Sequence, residues 1–144
     1  MNAVSGKFLV QPDAGPALRV LVVDDDQNTR EILLEALHLF GAEARCAASV
    51  AQAREMLAAW HADVLVSDLG MPEEDGYDLI REIRNRPLDG EARIPAIALT
   101  GYTRAQDQQR ALGAGYNEVL TKPAELEVLL EAIRRVASAD PRRP

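Results

Sequence analysis

From Leu18 onward, short apolar runs alternate with longer stretches whose apolar residues recur every three to four positions. The strand-sized runs are Arg19 to Val23, Glu43 to Cys46, Asp63 to Val66, Pro95 to Leu99 and Asn117 to Leu120. The segments between them read as helices. Ile32, Leu33, Ala36, Leu37 and Phe40 make one face of the first, with Asn28 and Glu31 as an opening capping pair and Gly41 as the stop. Ser49 with Gln52 forms a capping box ahead of a second helix that turns Val50, Ala53, Leu57 and Trp60 inward. A third, from about Tyr77 to Arg84, packs Leu79, Ile80 and Ile83. Thr103 with Gln106 caps a fourth whose body, Gln106 to Arg110, is polar. That leaves only Ala105, Ala111 and Leu112 to pack, so this helix is expected to be the least firmly held. The fifth, about Ala124 to Ala137, sets Leu126, Leu129, Leu130, Ile133 and Val136 on a regular stripe.

Such alternation, with wholly apolar strands at Leu21 to Val23 and Val64 to Val66, requires a parallel sheet covered by helices on both faces. The expected fold is a doubly wound α/β domain, (βα)5, with its strands in the flavodoxin-like order 2-1-3-4-5. Right-handed crossovers put every strand's C-terminal end on one edge, where such folds bind ligands. Residues 1–17, with Pro12, Gly15 and Pro16 and no periodicity, read as a flexible arm or linker. Residues 18–137 are the folded domain and 138–144 a C-terminal tail.

The chain has 144 residues, 47% of them hydrophobic, enough for one core. Sixteen Lys and Arg against twenty-three Asp and Glu give a net charge of −7, which argues against a nucleic-acid ligand. The arginines near the end (Arg134, Arg135, Arg142, Arg143) are read as solubilising groups on a frayed terminus. A single Cys46 and no apolar run long enough for a membrane span or signal peptide point to a reducing compartment, the cytoplasm. His38 and His61 lack spaced ligand partners, and Cys46 reads as strand packing.

Chemistry gathers at the strand ends: Asp24, Asp25 and Asp26 after the first, Ser67 and Asp68 after the third, Thr100 after the fourth, Thr121 and Lys122 after the fifth. Adjacent parallel strands lie about 5 Å apart. Acids of the first and third strands therefore converge, and each like-charged pair costs about 4 kcal/mol at roughly 4 Å and an effective dielectric of about 20. Lys122 supplies one compensating charge, and an oxygen-liganded Mg2+ is the natural second. Carboxylates, a divalent ion, a lysine and a threonine hydroxyl together describe a place that stabilises a phosphoryl group. Asp68 is the candidate nucleophile, because aspartyl phosphate is an accessible covalent form of Asp and the following Leu69, Gly70, Met71 and Pro72 keep its loop open. Asp26, Asn28 and Glu31 are read as capping residues.

These residues resemble the receiver domain of two-component response regulators. Val-Val-Asp-Asp stands at 22–25, Ser-Asp-Leu-Gly-Met-Pro at 67–72 followed by Asp75-Gly76, Ala-Leu-Thr-Gly at 98–101, and Thr-Lys-Pro at 121–123. Four such strings in order, covering about Leu18 to Ala137, make a specific match. The resemblance implies that Asp68 accepts the phosphoryl group and that Asp25, Asp68 and the Gly70 carbonyl ligate Mg2+ directly, with Asp24 acting mostly through water. It implies that Thr100 and Lys122 contact phosphoryl oxygens, and that a cis bond before Pro123 aims Lys122 inward. Tyr102 and Gly70 fall where receivers tune dephosphorylation. The implied partner is a histidine kinase or histidine phosphotransfer protein, with a second copy of the chain, through the fourth and fifth helices, as a further candidate. The chain is expected to be either a stand-alone receiver or a piece of a hybrid sensor kinase, and to turn over only its own phosphoryl group.

One position departs from the family. The aromatic switch residue three places before the lysine is here Val119, so coupling is expected to run through Thr100 and the polar fourth helix. The rival reading is a Mg2+-dependent phosphohydrolase similar to haloacid-dehalogenase-like enzymes. It would use Asp24 and Asp26, but has Asn28 where a threonine or valine is expected. A phosphorylation-independent pseudo-receiver is the other alternative.

Overall fold

The structure is a computed structural model and describes residues 17–86, 90–101 and 104–142. Residues 1–16, Tyr102, Thr103 and Arg143 lie outside these, and with them the arm before Ala17 and the Thr103 cap. In chain order the elements are β1 (Arg19–Val23), α1 (Gln27–Phe40), β2 (Glu43–Ala47), α2 (Val50–Ala59), β3 (Val64–Asp68) and α3 (Gly76–Arg84). A 3-10 turn (Gly90–Arg93), β4 (Ala96–Thr100), α4 (Ala105–Ala114), β5 (Glu118–Thr121) and α5 (Leu126–Ser138) complete it. The five strands form one parallel sheet in the order β2-β1-β3-β4-β5.

Side-chain alternation divides the core between the two faces of the sheet. Val20 and Val22 of β1, Val64 and Val66 of β3, and Ile97 and Leu99 of β4 meet Leu33, Leu37 and Phe40 of α1 and Leu129, Ile133 and Val136 of α5. Leu21, Val23, Leu65 and Ala98 meet Val50, Ala53 and Leu57 of α2, Leu79, Ile80 and Ile83 of α3, and Ala111 of α4. β3 and β4 are buried along their whole length and β1 from Val20 on, whereas edge strand β2 exposes Glu43 and Arg45.

Several expected helix ends and faces differ in detail. Asp26, not Asn28, caps α1, its carboxylate accepting from the Thr29 N–H at 2.9 Å and the Thr29 hydroxyl at 2.6 Å. An N-cap must have non-helical backbone, and Asn28 already lies inside the helix. Ser49 does cap α2, but Gln52 reaches past it to the Ala48 N–H. Ile32 points to solvent and not to the core, as do Ala105 and Leu112 of α4. Ala111 is the buried residue of α4, and Arg104, at the N-cap position before it, makes no side-chain capping bond. The fourth helix is thus held more thinly than its composition suggested.

The end of the described chain is pinned and not frayed. The Arg142 guanidinium grips the buried Asp140 carboxylate at 3.0 and 3.1 Å and donates to the Ala62 and Asp63 carbonyls. Arg135 chelates Glu118, and Arg134 lies over the Phe40 ring. Arg134, Arg135 and Arg142, expected to be solubilising groups, are therefore spent on intramolecular contacts.

Two features of the segment between β3 and α3 carry predictions. Glu73 has φ +66°, a left-handed conformation that disfavours a side chain. Glu73→Gly should raise unfolding stability by about 0.5–1 kcal/mol, read as a shifted urea midpoint at constant m. Arg54 of α2 reaches across to Glu82 of α3 at 2.8 Å and to Glu74 at 2.9 Å. Its hydrogen bonds hold the Glu82 carboxyl below the ordinary carboxylate range. A depressed folded pKa stabilises above the unfolded value, and that stability is lost as pH falls through the folded one. Glu82→Gln should therefore lower the urea midpoint at neutral pH and leave it unchanged in strong acid.

Candidate functional site

The sheet delivers its chemistry to one edge through backbone registration. Val23 pairs with Ser67 and Ala47, Asp68 with Leu99, and Thr100 with Thr121. The residues that end or directly follow β1, β3, β4 and β5 therefore share one rim. β3 and β4 each run one or two residues further than their apolar patterns indicate, so Asp68 and Thr100 are the last residues of their strands. The ladder is a backbone property and continues under polar side chains; the Leu69 N–H still donates to Leu99 O at 3.0 Å.

Within this rim Asp24, Asp25 and Asp68 each offer a carboxylate oxygen, and these lie within 4.8 Å of one another. Asp24 and Asp68 are buried and Asp25 is exposed. Lys122 extends from the end of β5, with Nζ 3.0 Å from Asp24 Oδ2 and 3.3 Å from Asp68 Oδ2. A cis Lys122–Pro123 bond follows it, and the Lys122 N–H donates to Thr100 O at 2.7 Å. The other oxygen of each buried acid accepts a backbone N–H, Asp24 Oδ1 from Asp26 at 2.9 Å and Asp68 Oδ1 from Gly70 at 3.1 Å. Arg30 braces the first loop by donating to the Asp24 carbonyl at 2.9 Å. Thr100 is buried beside β3, and Gly70 is exposed on the loop after Asp68.

Burial pushes the Asp68 carboxyl above its ordinary value, and the Asp24 charge adds to this, outweighing the Gly70 N–H and the Lys122 ammonium, which pull it down. Burial pulls Lys122 down, but the Asp24 and Asp68 carboxylates outweigh it and hold the ammonium firmly charged. Asp24 and Asp68 thus share one fixed cation with Asp25 close by, a set short of positive charge and rich in hard oxygen donors. That donor set suits a small divalent cation. Among the described residues no other group of three His, Cys, Asp or Glu side chains is so gathered. His38 and His61 are exposed elsewhere, and Cys46 is half-buried with its thiol pushed up by burial.

All six residues singled out from the sequence, Asp24, Asp25, Asp68, Gly70, Thr100 and Lys122, therefore stand at one edge. The sequence reasoning passed over Tyr116 and Arg84. Tyr116 is buried with its hydroxyl 2.7 Å from the Gly76 carbonyl. Arg84 joins Gly115, Ala92 and Asn117. Tyr116 follows Gly115 in a turn between elements, where no periodic pattern assigns a face, and only its isolation as an aromatic between Gly and Asn marks it.

A flavodoxin-like sheet in this strand order, with acids, a hydroxyl and a lysine at the carboxyl ends of its strands, is the architecture of receiver domains. The family profile described as response regulator receiver domain matches residues 20–134, and the chain belongs to that family. An uncharacterized 14.6 kDa protein of Leptolyngbya boryana is 42% identical over 122 residues, 85% of this chain and 92% of its own length. Regulatory protein AtoC of Escherichia coli is 35% identical over 117 residues, covering 81% of this chain and 24% of its own, so the chain spans about a quarter of that relative. Among solved structures, the signal receiver domain of a signal transduction histidine kinase from Syntrophus aciditrophicus superposes with a TM-score of 0.79 at 30% identity, covering 89% of this chain and 96% of that one. The protein is a receiver module of two-component signalling. No helix among its described residues is long and apolar enough to cross a membrane.

Proposed function

We propose that Asp68 takes a phosphoryl group from a phosphohistidine on a histidine kinase or histidine phosphotransfer protein in the cytoplasm. The observation that carries this reading is the Asp68 carboxylate itself. One oxygen is oriented by the Gly70 N–H and the other by Lys122, inside a cluster of acids that one ammonium leaves under-neutralised. Asp68 Oδ attacks phosphorus, the phosphoramidate N–P bond breaks with its electron pair returning to the imidazole, and an acyl phosphate O–P bond forms. Burial leaves the carboxylate poorly solvated and hence more basic than an exposed one. Lys122 and the Thr100 hydroxyl meet the charge on the phosphoryl oxygens. Hydrolysis by water restores Asp68, and turnover is confined to this self-directed cycle.

Asp25, Asp68 and the Gly70 carbonyl would hold Mg2+, which when bound supplies neutralising charge and orients phosphoryl oxygens. Both oxygens of Asp24 already have partners in Lys122 and the Asp26 N–H, which suits it to act through water. A phosphohydrolase with Asp24 as nucleophile would need a free acid/base two residues on. Its would-be acid/base, Asp26, is occupied in capping α1.

Incubation with Mg2+ and acetyl phosphate tests the reading. Intact-mass spectra should show one added phosphoryl group that is lost on treatment with hydroxylamine. No uptake from acetyl phosphate or from any phosphorylated histidine kinase, together with no Mg2+ binding, would make the module phosphorylation-independent.

A further inference from the structure

Tyr116 is 3% exposed, and a buried phenol needs a hydrogen-bond partner. It finds that partner on the segment that holds the phosphoacceptor. Its hydroxyl donates to the Gly76 carbonyl at 2.7 Å, and on the strand side the Ser67 hydroxyl donates to the Asp68 carbonyl at 3.1 Å. Gly76 is seated directly against that carbonyl: a Cβ there would lie 2.5 Å from Asp68 O, 3.0 Å from Leu69 Cα and 3.0 Å from the phenol oxygen. The Gly76 N–H also donates to Leu69 O. The phenol thus braces the helix-side flank of Asp68 through Gly76, without touching the carboxylate.

The backbone of Tyr116 belongs to the other end of this link. Gly115, at φ +130°, ends α4, and the Gly115 and Tyr116 N–H groups close the helix on Leu112 O and Ala111 O at 3.1 and 3.3 Å. Arg84 donates to Gly115 O at 3.0 Å and to Asn117 Oδ1 at 3.1 Å, tying the same turn to the end of α3. The C-terminal end of α4 cannot shift without moving the phenol. This is the helix with the fewest buried side chains to resist displacement. Val119, three residues further on, has neither ring nor hydroxyl with which to make such a link.

We infer that Tyr116 is a positioning residue, a buried strut that orients the Asp68 segment for phosphoryl uptake and carries the resulting displacement to the C-terminal end of α4. The inference rests on Asp68 being the phosphoacceptor. Tyr116→Phe keeps the ring and its packing and removes only the hydroxyl. With Mg2+ and acetyl phosphate, its maximal rate of phosphoryl uptake should fall about three- to tenfold, the range one lost hydrogen bond allows, while the half-saturating donor concentration stays unchanged. The amide shifts that beryllium trifluoride, a phosphoryl mimic on carboxylates, induces at residues 111–115 of the wild-type protein should vanish in the variant. Ile133→Val, which thins the core on the opposite face of the sheet, is the control for lost stability and should keep both the rate and the shifts.

A Tyr116→Phe variant within twofold of wild type in rate, with its α4 shifts intact, overturns the inference. So does equal slowing in Ile133→Val, which would reduce the effect to general softening. A wild-type protein that takes up no phosphoryl group defeats the phosphoacceptor reading itself, and the inference with it.

Discussion

Asp68→Asn is expected to yield a protein that takes up no phosphoryl group and, in metal-free buffer at neutral pH, unfolds at a higher temperature than wild type. The amide has the shape of the carboxylate but no nucleophilic oxygen. The stability gain follows from the charges around it. Lys122 keeps its shorter contact, to Asp24 at 3.0 Å, while the acid cluster loses one of its two buried negative groups. Burial holds the folded-state Asp68 carboxyl above its ordinary value despite Lys122 and the Gly70 N–H, so ionising it opposes folding. A raised folded pKa means that this cost is absent below the unfolded value and develops as pH rises through the folded one. The gap between variant and wild type should therefore open on that rise and close in acid. Its size at neutral pH, about 1 kcal/mol for one partly compensated like-charge contact, corresponds to a few degrees in Tm. Saturating Mg2+ should shrink or reverse it, because an ion that binds the native acid triad stabilises wild type by mass action. Thermal melts at several pH values, with and without Mg2+, alongside intact-mass spectra, read all of this. Labelling of the variant, or a variant less stable than wild type across the whole range, would defeat it.

Gly76→Ala should destabilise the fold by about 2–3 kcal/mol and slow phosphoryl uptake by about a hundredfold. The added methyl meets Asp68 O at 2.5 Å and Leu69 Cα at 3.0 Å. Those are backbone atoms of the strand that ends in Asp68 and of its loop, which cannot swing aside as a side chain can. Accommodation has to come from moving either the start of α3 or Asp68 itself, and a displacement of even about 1 Å removes the aim of a nucleophile. Gly70→Ala provides the contrast. Nothing lies within 4 Å of a Cβ at that position, so urea unfolding should find it within about 0.5 kcal/mol of wild type. Equal stability of the two variants would show that the close seating of Gly76 on Asp68 does not constrain the loop.

Much of this arrangement is legible in the chain because it depends on short-range periodicity. The apolar cores of β1, β3 and β4 and the stripes of α1, α3 and α5 each repeat at the period of their element. The residues that break the apolar run at the end of each strand are necessarily the ones at the sheet's edge. Helix caps were less legible. Asp26, Asn28 and Glu31 all lie near the start of α1, and only the backbone conformation at Asp26 shows which of them caps the helix. Ile32, Ala105 and Leu112 fit a helical stripe and yet face solvent, because the period sets a side chain's direction on its helix and not whether another element covers it.

The sequence by itself determined the parallel α/β alternation, the edge at which chemistry collects, and the identity of Asp24, Asp25, Asp68, Thr100 and Lys122 gathered there. Those properties follow from hydrophobic period and strand polarity, which are local. Tertiary structure alone decided that Lys122 divides itself between Asp24 and Asp68, and that Arg142 folds back to pin the chain end. It also placed the Tyr116 phenol against the Gly76 carbonyl, beside the segment that follows Asp68. Each of these joins residues separated by dozens of positions, and which groups meet across such a gap is set by packing on the twisted sheet, a quantity that no local period encodes.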